Sequence, residues 1–439
     1  MNLLPFQNLH AQGIERALRQ YGVALDASDP GSGKTYVACA VAARLQVPVI
    51  IVCTKATIPS WQSVADGFGL RPLLITNYEY IRRGKLSECR CTPSGYLWEV
   101  PGNTLIIFDE CQKCKGRTSQ NANLLIAARR QNLKLLLCSA TAATNPLEMK
   151  ALGYALGLHQ LYDFYSWCRR NGVVDGTFGL EFRGGMHHLR RLHAEIFPKL
   201  GSRLRIDEIP DFPETIISAE VIETGKAKAI QKEYDRMKRE LRRAEEADDR
   251  EALSQLADDM KAKKANVLTL QTRARQAIEL YKVGAMVEMT KNALEEGMSV
   301  VLLVNFTETI AALSDKLSCS DIICGGQNAI DRQNIIERFQ RNEIKVVIAN
   351  IQAGGVGVSL HDPTGKRPRL SIISPTFSAA DLKQALGRVH HAGGAASVQK
   401  ICFAAGTVEE HTAEVCARKL AHIDLLNDGD MQLFPITNR

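Results

Sequence analysis

The chain of 439 residues is long enough for two or three domains. Its 45% hydrophobic and 23% charged residues are ordinary for a soluble globular protein, and its net charge of +7 admits a nucleic-acid partner without arguing for one. The start, MNLLPFQNLHAQG, lacks a basic cluster followed by a long apolar run, and no apolar stretch approaches the ~20 residues of a spanning helix. A secretory signal and a membrane partner are therefore not expected. Twelve cysteines without an export signal read as reduced thiols in a cytoplasm.

In chain order, a strand-like run ends near Leu25 and feeds "SDPGSGKT", with a helix starting near Lys34. Short apolar, β-rich runs follow at 47–53, 71–76, 103–110 and 133–141, separated by helical patterns. Buried parallel strands read this way. The pattern returns at 299–306, 320–324, 344–350, 369–374 and 398–404, so two α/β lobes are expected. The segment 157–213 reads as mixed and mostly helical. Between the lobes, 22 of the 39 residues from Lys226 to Lys264 are charged, with no Gly or Pro. Ile230, Tyr234, Met237 and Leu241 make one narrow apolar stripe, and Asp235 with Arg239 and Glu246 with Arg250 are i,i+4 charge pairs. One long helix or a helical hairpin is expected there, a solvated spacer rather than a DNA-gripping arm.

The turn is built to hold a phosphate. Gly31 and Gly33 let backbone approach an anion, and N–H groups at a helix start favour negative charge. Lys34 can reach the β- and γ-phosphates, and the Thr35 hydroxyl can ligate magnesium. Ser28 stands where the generic pattern has its first Gly. Downstream by 75 residues, "LIIFDECQ" delivers Asp109 and Glu110 at the end of an apolar strand, where open α/β sheets bind ligands. Asp109 suits magnesium, and Glu110 suits the positioning and deprotonation of a water. Cys89 with Cys91 and Cys111 with Cys114 could together supply four zinc ligands, but the second pair sits inside this acidic motif, and buried thiols are the preferred reading.

Taken in order, these motifs resemble those of superfamily 2 helicase-type ATPases, and within them the Swi/Snf-type branch. "LLPFQ" places Gln7 27 residues before Lys34, as does that branch's adenine-reading glutamine. "IIVCTKATIPSW" and "ITNYEYIRRG" resemble DNA-tracking motifs, and "DECQKCKGRTS" the acidic motif, with Cys111 and Gln112 in place of the usual Ala or Gly and His. "CSATAATNPLE" resembles the motif coupling hydrolysis to motion. "GGQNAIDRQNIIERFQ", "NIQAGGVGVSL", "SPTFSAADLKQALGRVHH" and "GTVEE" continue the likeness, and "FYSWCRRNGV" through "IPDFPE" resembles the helical insertion of annealing, fork-remodelling helicases.

The resemblance implies an α/β fold of two RecA-like parallel-sheet lobes with a helical insertion and a charged helical arm between them. The boundaries are 1–156 for lobe 1, 157–213 for the insertion, 214–285 for linker and arm, and 286–439 for lobe 2. It implies ATP and Mg2+, with nucleotide contacts from Gln7, Asp29, Pro30, Gly31, Ser32, Gly33, Lys34, Thr35, Gly357 and Arg388. Magnesium falls to Thr35 and Asp109, and catalysis to Glu110, Asp109, Lys34, Gln384, Arg388 and His391. Coupling falls to Ser139, Thr141, Gly354 and Gly355. Sequence-independent contacts to DNA fall to Thr54, Lys55, Thr76, Asn77, Gly326 and Gln352.

One departure stands out. The family pattern Q-x-x-G-R-x-x-R has its first arginine at Arg388, but its second falls on His391. Either Arg388, or His391 when protonated, suffices, or the ATPase is weakened. The expected protein is a DNA-dependent ATPase translocating on duplex or branched DNA as a monomer, similar to compact phage-type replication and recombination enzymes. Two rivals are a strand-separating helicase on DNA or RNA and a nucleotide-gated DNA clamp. A P-loop kinase or GTPase leaves the second lobe unexplained.

Overall fold

The computed structural model describes residues 1–93, 95–176, 179–223, 229, 232, 250–354, 359–376 and 378–429. They form two compact units. One holds Met1–Phe212 and the described residues from Lys419 to Gly429; the other holds the described residues from Pro213 to Arg418.

The first unit is built on a parallel sheet of six strands. These are β1 (Val23–Asp26), β2 (Val49–Cys53), β3 (Leu74–Asn77), β6 (Leu105–Asp109), β7 (Lys134–Cys138) and β10 (Gly201–Ser202), in the order β10-β1-β7-β6-β2-β3. Two hairpins lie outside it: β4 (Cys89–Thr92) with β5 (Gly95–Trp98), and β8 (Val173–Gly176) with β9 (Gly179–Phe182). The apolar runs are continuous because both sheet faces are covered. Val23, Leu25, Ile50, Val52, Ile106, Phe108, Leu135 and Leu137 join one core; Ala24, Val49, Ile51, Leu105, Ile107 and Leu136 join another. Helices α1 (Pro5–Tyr21), α2 (Lys34–Leu45) and α3 (Ile58–Gly67) cover the second core. The first is covered by α5 (Gln120–Arg130), α6 (Lys150–Leu156), α7 (Phe164–Arg170) and α8 (Met186–Ile196), and the short α4 (Tyr78–Arg82) follows β3.

The second unit repeats the plan. Its strands are β11 (Thr215–Ile222), β12 (Ser299–Val304), β13 (Ile322–Ile323), β14 (Val346–Asn350), β15 (Arg369–Ile373) and β16 (Ser397–Ala404), ordered β11-β16-β15-β12-β14-β13 and all parallel. Its helices are α9 (Arg250–Glu295), α10 (Thr307–Leu317), α11 (Ala329–Gln340), α12 (Ile351–Gly354), α13 (Ala379–Leu386) and α14 (Val408–Asp428). Val283, Met286 and Val287 on α9 bury against Val300, Leu302 and Val304 of β12. Lys282, 0% exposed, donates to Glu409, Ser374 Oγ and the Cys402 carbonyl at 2.7–3.0 Å. Glu279 accepts from the backbone N–H groups of Asn305 and Phe306 at 3.0 Å. Two charged side chains one turn apart thus fasten this helix to its sheet.

Every strand run expected for the two lobes forms a strand, and the α/β architecture of two RecA-like lobes holds. Three features differ from the reading. The 157–213 segment, read as mostly helical, also supplies the β8–β9 hairpin and β10, the edge strand beside β1. Thr215–Ile222, grouped with the linker, is an eight-residue edge strand on β16. The end of α14 contributes Leu425 and Leu426 to the first unit's core. In the charged segment, Ile230, Tyr234, Met237, Leu241, Asp235, Arg239 and Glu246 lie outside the described residues; from Arg250 the backbone is one continuous helix. Among the described residues no helix is long and apolar enough to cross a membrane.

Candidate functional site

Because the first sheet is wholly parallel, the C-terminal ends of its strands share one edge. Asp26 of β1, Cys138 of β7 and Asp109 of β6 stand in register along that edge. The loop Ala27–Gly33 leaves β1 there and turns into α2 through Gly31 (φ 83°) and Gly33 (φ 87°), a left-handed backbone that glycine adopts without strain. A Cβ on Gly33 would come within 2.4 Å of Gln7 Nε2, so the second glycine also admits that side chain.

Gln7 comes from α1, whose buried stripe runs Gln7, His10, Ala11, Ile14, Ala17 and Leu18. The apolar end of this stripe packs on the sheet, and its polar end meets the loop. Gln7 donates through Nε2 to the Ser32 carbonyl (2.9 Å) and accepts from Leu4 N–H (3.0 Å). His10 lies 3.2 Å from Asp26, 3.0 Å from Ser28 Oγ and 2.7 Å from Ser202 Oγ. Burial opposes ionisation of Asp26, yet His10 and Lys34 facing it hold its carboxyl below the usual range. Lys34, first residue of α2, donates through Nζ to the carbonyls of Ser28 (2.9 Å) and Asp29 (3.0 Å), and half-buried Thr35 follows it.

The loop has a second wall. Ala27 and Asp29 donate their N–H groups to the carbonyls of Ser202 and Leu204, and Leu204 N–H donates to Ser28 Oγ. Residues 202–206 therefore run beside the loop's first half as an extension of the β1–β10 ladder. Asp29 accepts from Arg203 Nη2 (3.1 Å) and Ile206 N–H (3.2 Å). Arg203 also donates to the Ala27 carbonyl (2.6 Å) and to both carboxylate oxygens of Asp428.

Asp109 accepts from Trp61 Nε1 (2.9 Å) and from Glu110 N–H (3.0 Å). Burial and the neighbouring Glu110 push its carboxyl up to about 7, against the lowering pull of Trp61 and Lys34. Glu110 has a left-handed backbone, φ 51°, uncommon for a residue with a side chain. Its Oε2 accepts from Gln112 at 2.6 Å. The Cys111 and Cys114 thiols are buried in the core, where desolvation pushes Cys114 up to about 12. Among the described residues no group of three or more His, Cys, Asp or Glu is placed to hold a metal ion.

After β7, Thr141 N–H donates to Ser139 Oγ (2.9 Å) and Ser139 N–H to the Asp26 carbonyl (3.0 Å). The Ala140 carbonyl between them accepts from Asn427 Nδ2 at 2.9 Å. Lys115 of the acidic motif pairs with Glu148 at 3.3 Å. On the other half of the sheet, Cys53 pairs with Asn77, and Thr54 and Lys55 follow β2. Lys55 is exposed; Thr54 and Thr76 are buried, and the Thr54 hydroxyl meets that of Thr57 at 3.1 Å. Asn77 caps α4 by accepting from Tyr80 N–H.

In the second unit Gly326 (φ 80°) and Gln352 are exposed, and Gln352 N–H donates to Asn350. Gln384 is buried on α13 and Arg388 half-buried after it, its carbonyl accepting from Leu360 N–H. His391 stacks on His361, ring centroids 4.9 Å apart at 21°. Gly354 ends α12; Gly355 and Gly357 lie outside the described residues.

The first unit thus brings together Gln7, the 29–35 turn, Asp109, Glu110, Ser139 and Thr141 at one sheet edge. The sequence reading missed His10, Trp61, Arg203, Asn427 and Asp428. His10 alone had a local signal, as the polar residue one turn beyond Gln7 on the buried stripe of α1.

A phosphate loop and an acid pair on one RecA-like sheet, with a second such sheet in the chain, define a helicase-type ATPase. The family model for the helicase conserved C-terminal domain matches residues 281–393. A protein of Acanthamoeba polyphaga mimivirus, named as an ATP-dependent RNA helicase with the name itself marked provisional, is 32% identical over 98% of this chain and 84% of its own length. An uncharacterized ATP-dependent helicase of Mycoplasma genitalium is 24% identical over 72% of this chain, which spans only 30% of that protein. A solved Sulfolobus solfataricus SWI2/SNF2 ATPase core in complex with dsDNA aligns over 98% of this chain and 94% of that one, at 17% identity and a TM-score of 0.37. The chain belongs to the superfamily 2 helicase-type ATPases, with the motifs of the Swi/Snf-type branch, and is an ATP hydrolase.

Proposed function

We propose that this ATPase is stimulated by DNA and translocates on duplex or branched DNA without sequence preference, in replication, recombination or repair. The observation that carries the ATP site is the meeting of the Lys34 loop with Asp109 and Glu110 at one parallel-sheet edge. Backbone N–H groups of the turn and Lys34 hold the phosphates. Thr35 and Asp109 offer the oxygen donors that a hard cation such as Mg2+ takes, with phosphates and water completing its shell. The fit rests on chemistry in place: Asp109 is a carboxylate whose ionisation burial resists, and a divalent cation beside it would favour the charged form. Bound there, Mg2+ would neutralise phosphate charge. Glu110 orients the attacking water and accepts its proton. Arg388 carries the charge that the resemblance assigns to the γ-phosphate.

For the polynucleotide, exposed Lys55 follows β2 and half-buried Asn77 ends β3, on the half of the sheet away from the phosphate loop. Lysine and amide groups of this kind hold backbone rather than bases. A second reading, an RNA helicase, is favoured by the name of the mimiviral relative. ATPase rates with single-stranded, duplex and forked DNA and with RNA separate the two. Stimulation by duplex or forked DNA above RNA supports the proposal. Stimulation by RNA alone replaces it, and no response to any polynucleotide ends both.

A further inference from the structure

The last described turn of α14 reaches two loops of the first unit at once. We infer that Asn427 and Asp428 form a positioning element for the nucleotide site. Asp428 sets the phosphate loop through Arg203, and Asn427 sets the loop carrying Ser139 and Thr141. The inference rests on the reading that the Lys34 loop binds ATP.

Arg203 connects the helix tail to the loop. Its side chain is 5% exposed and that of Asp428 2%, so their pairing is desolvated and held in one geometry. Asp428 takes Nε and one Nη of the guanidinium, a two-point grip that fixes the plane of a rigid fork. With that plane fixed, the remaining donors point at the Ala27 carbonyl and the Asp29 carboxylate. Asp29 in turn offers Lys34 one of the two carbonyls that hold its ammonium. The path from the helix tail to Lys34 thus runs through four residues, Asp428, Arg203, Asp29 and Lys34, and its last link is the main-chain carbonyl of Asp29.

Asn427, one residue earlier, donates to the Ala140 carbonyl. A staple needed only for stability would have no reason to land on both of these loops. The tail also borders a cavity of about 470 Å³ lined by Arg16, Lys199 and Arg205, so close packing does not lock it from that side.

The test uses the full chain carrying Asp428→Ala, Asp428→Asn, Arg203→Lys or Asn427→Ala, with Lys34→Ala as reference. Fluorescent ATP-analogue affinity, the KM for ATP, kcat and thermal melting are read on each. Asp428→Ala is expected to weaken nucleotide binding and raise KM about tenfold, the worth of a hydrogen bond to a charged group. Asp428→Asn, which keeps one acceptor, is expected to recover part of that loss. Arg203→Lys keeps the charge but loses the fork, and should match Asp428→Ala; the double variant should be no worse than either. Asn427→Ala should lower kcat more than it raises KM.

Folded Asp428→Ala and Arg203→Lys proteins with parental nucleotide affinity and KM would overturn the inference, as would a double variant whose losses simply add. Should Asp428→Ala fail to fold, Asp428→Asn and Asn427→Ala decide on the same readouts. If Lys34→Ala binds nucleotide as the parent does, the assignment of ATP to this loop fails instead.

Discussion

Arg203 in the first unit and Lys282 in the second are both buried cations satisfied by carboxylates and backbone carbonyls, yet they hold different things. Lys282 joins one regular element to others: α9 to Glu409 on α14, to Cys402 on β16 and to Ser374 just after β15. Arg203 joins an irregular loop to a helix end. The first arrangement braces the scaffold; the second sets a loop that would otherwise be free to choose among turns. Buried ion pairs are weak evidence of net stabilisation, since desolvation offsets much of the attraction. Where such a pair ends tells more about its use than how deeply it lies.

The contrast is open to attack in graded steps. Lys282→Ala strands Glu409 in the core and should cost about 3–5 kcal/mol by chemical denaturation, while nucleotide affinity of the folded protein stays parental. A large affinity loss there would erase the distinction, because Asp428→Ala is expected to show the reverse balance. His391→Arg is the next largest effect. His391 stacks on His361, whose own protonation is disfavoured by burial and by nearby Arg369. An arginine should raise polynucleotide-stimulated turnover severalfold, as added charge at a phosphoryl-transfer site does. Unchanged turnover would show that the position does not serve hydrolysis.

Trp61→Phe removes the one side-chain donor to Asp109 among the described residues. By the usual worth of such a bond, about 1–2 kcal/mol, the Mg2+ concentration for half-maximal ATPase should rise by about five- to thirtyfold at most. No shift would remove Asp109 from the magnesium site. The smallest effect is expected at exposed Lys55: Lys55→Ala should weaken DNA binding equally across sequences and lower the slope of log affinity against log salt by about 1. A sequence-dependent loss would contradict backbone recognition.

Much of this architecture is legible from residue order because strands covered on both faces need unbroken apolar runs. Val49–Cys53 and Leu105–Asp109 announce themselves for that reason. The edge strands are less visible. Gly201–Ser202 is too short for any period, and Thr215–Ile222 carries Ser and Glu because an edge strand is half wet; its Ile216 and Val221 are largely exposed. The phosphate loop and acid pair were readable because each is a local pattern. Arg203 was not: its partners lie 174 and 225 residues away, and nothing in "SRLRID" distinguishes it from the surface arginines around it.

The segment 202–206 and the helix tail also impose a timetable. The phosphate loop leaves the ribosome long before the residues that shape it, since Asp428 follows Asp29 by 428 − 29 = 399 positions. At roughly 5–20 residues per second, that is an interval of about 20–80 s. Over that time the Arg203–Asp428 pair cannot form. If the inferred role of Asp428 holds, a chain terminated before it keeps the glycine turn but lacks the Arg203–Asp428 pair.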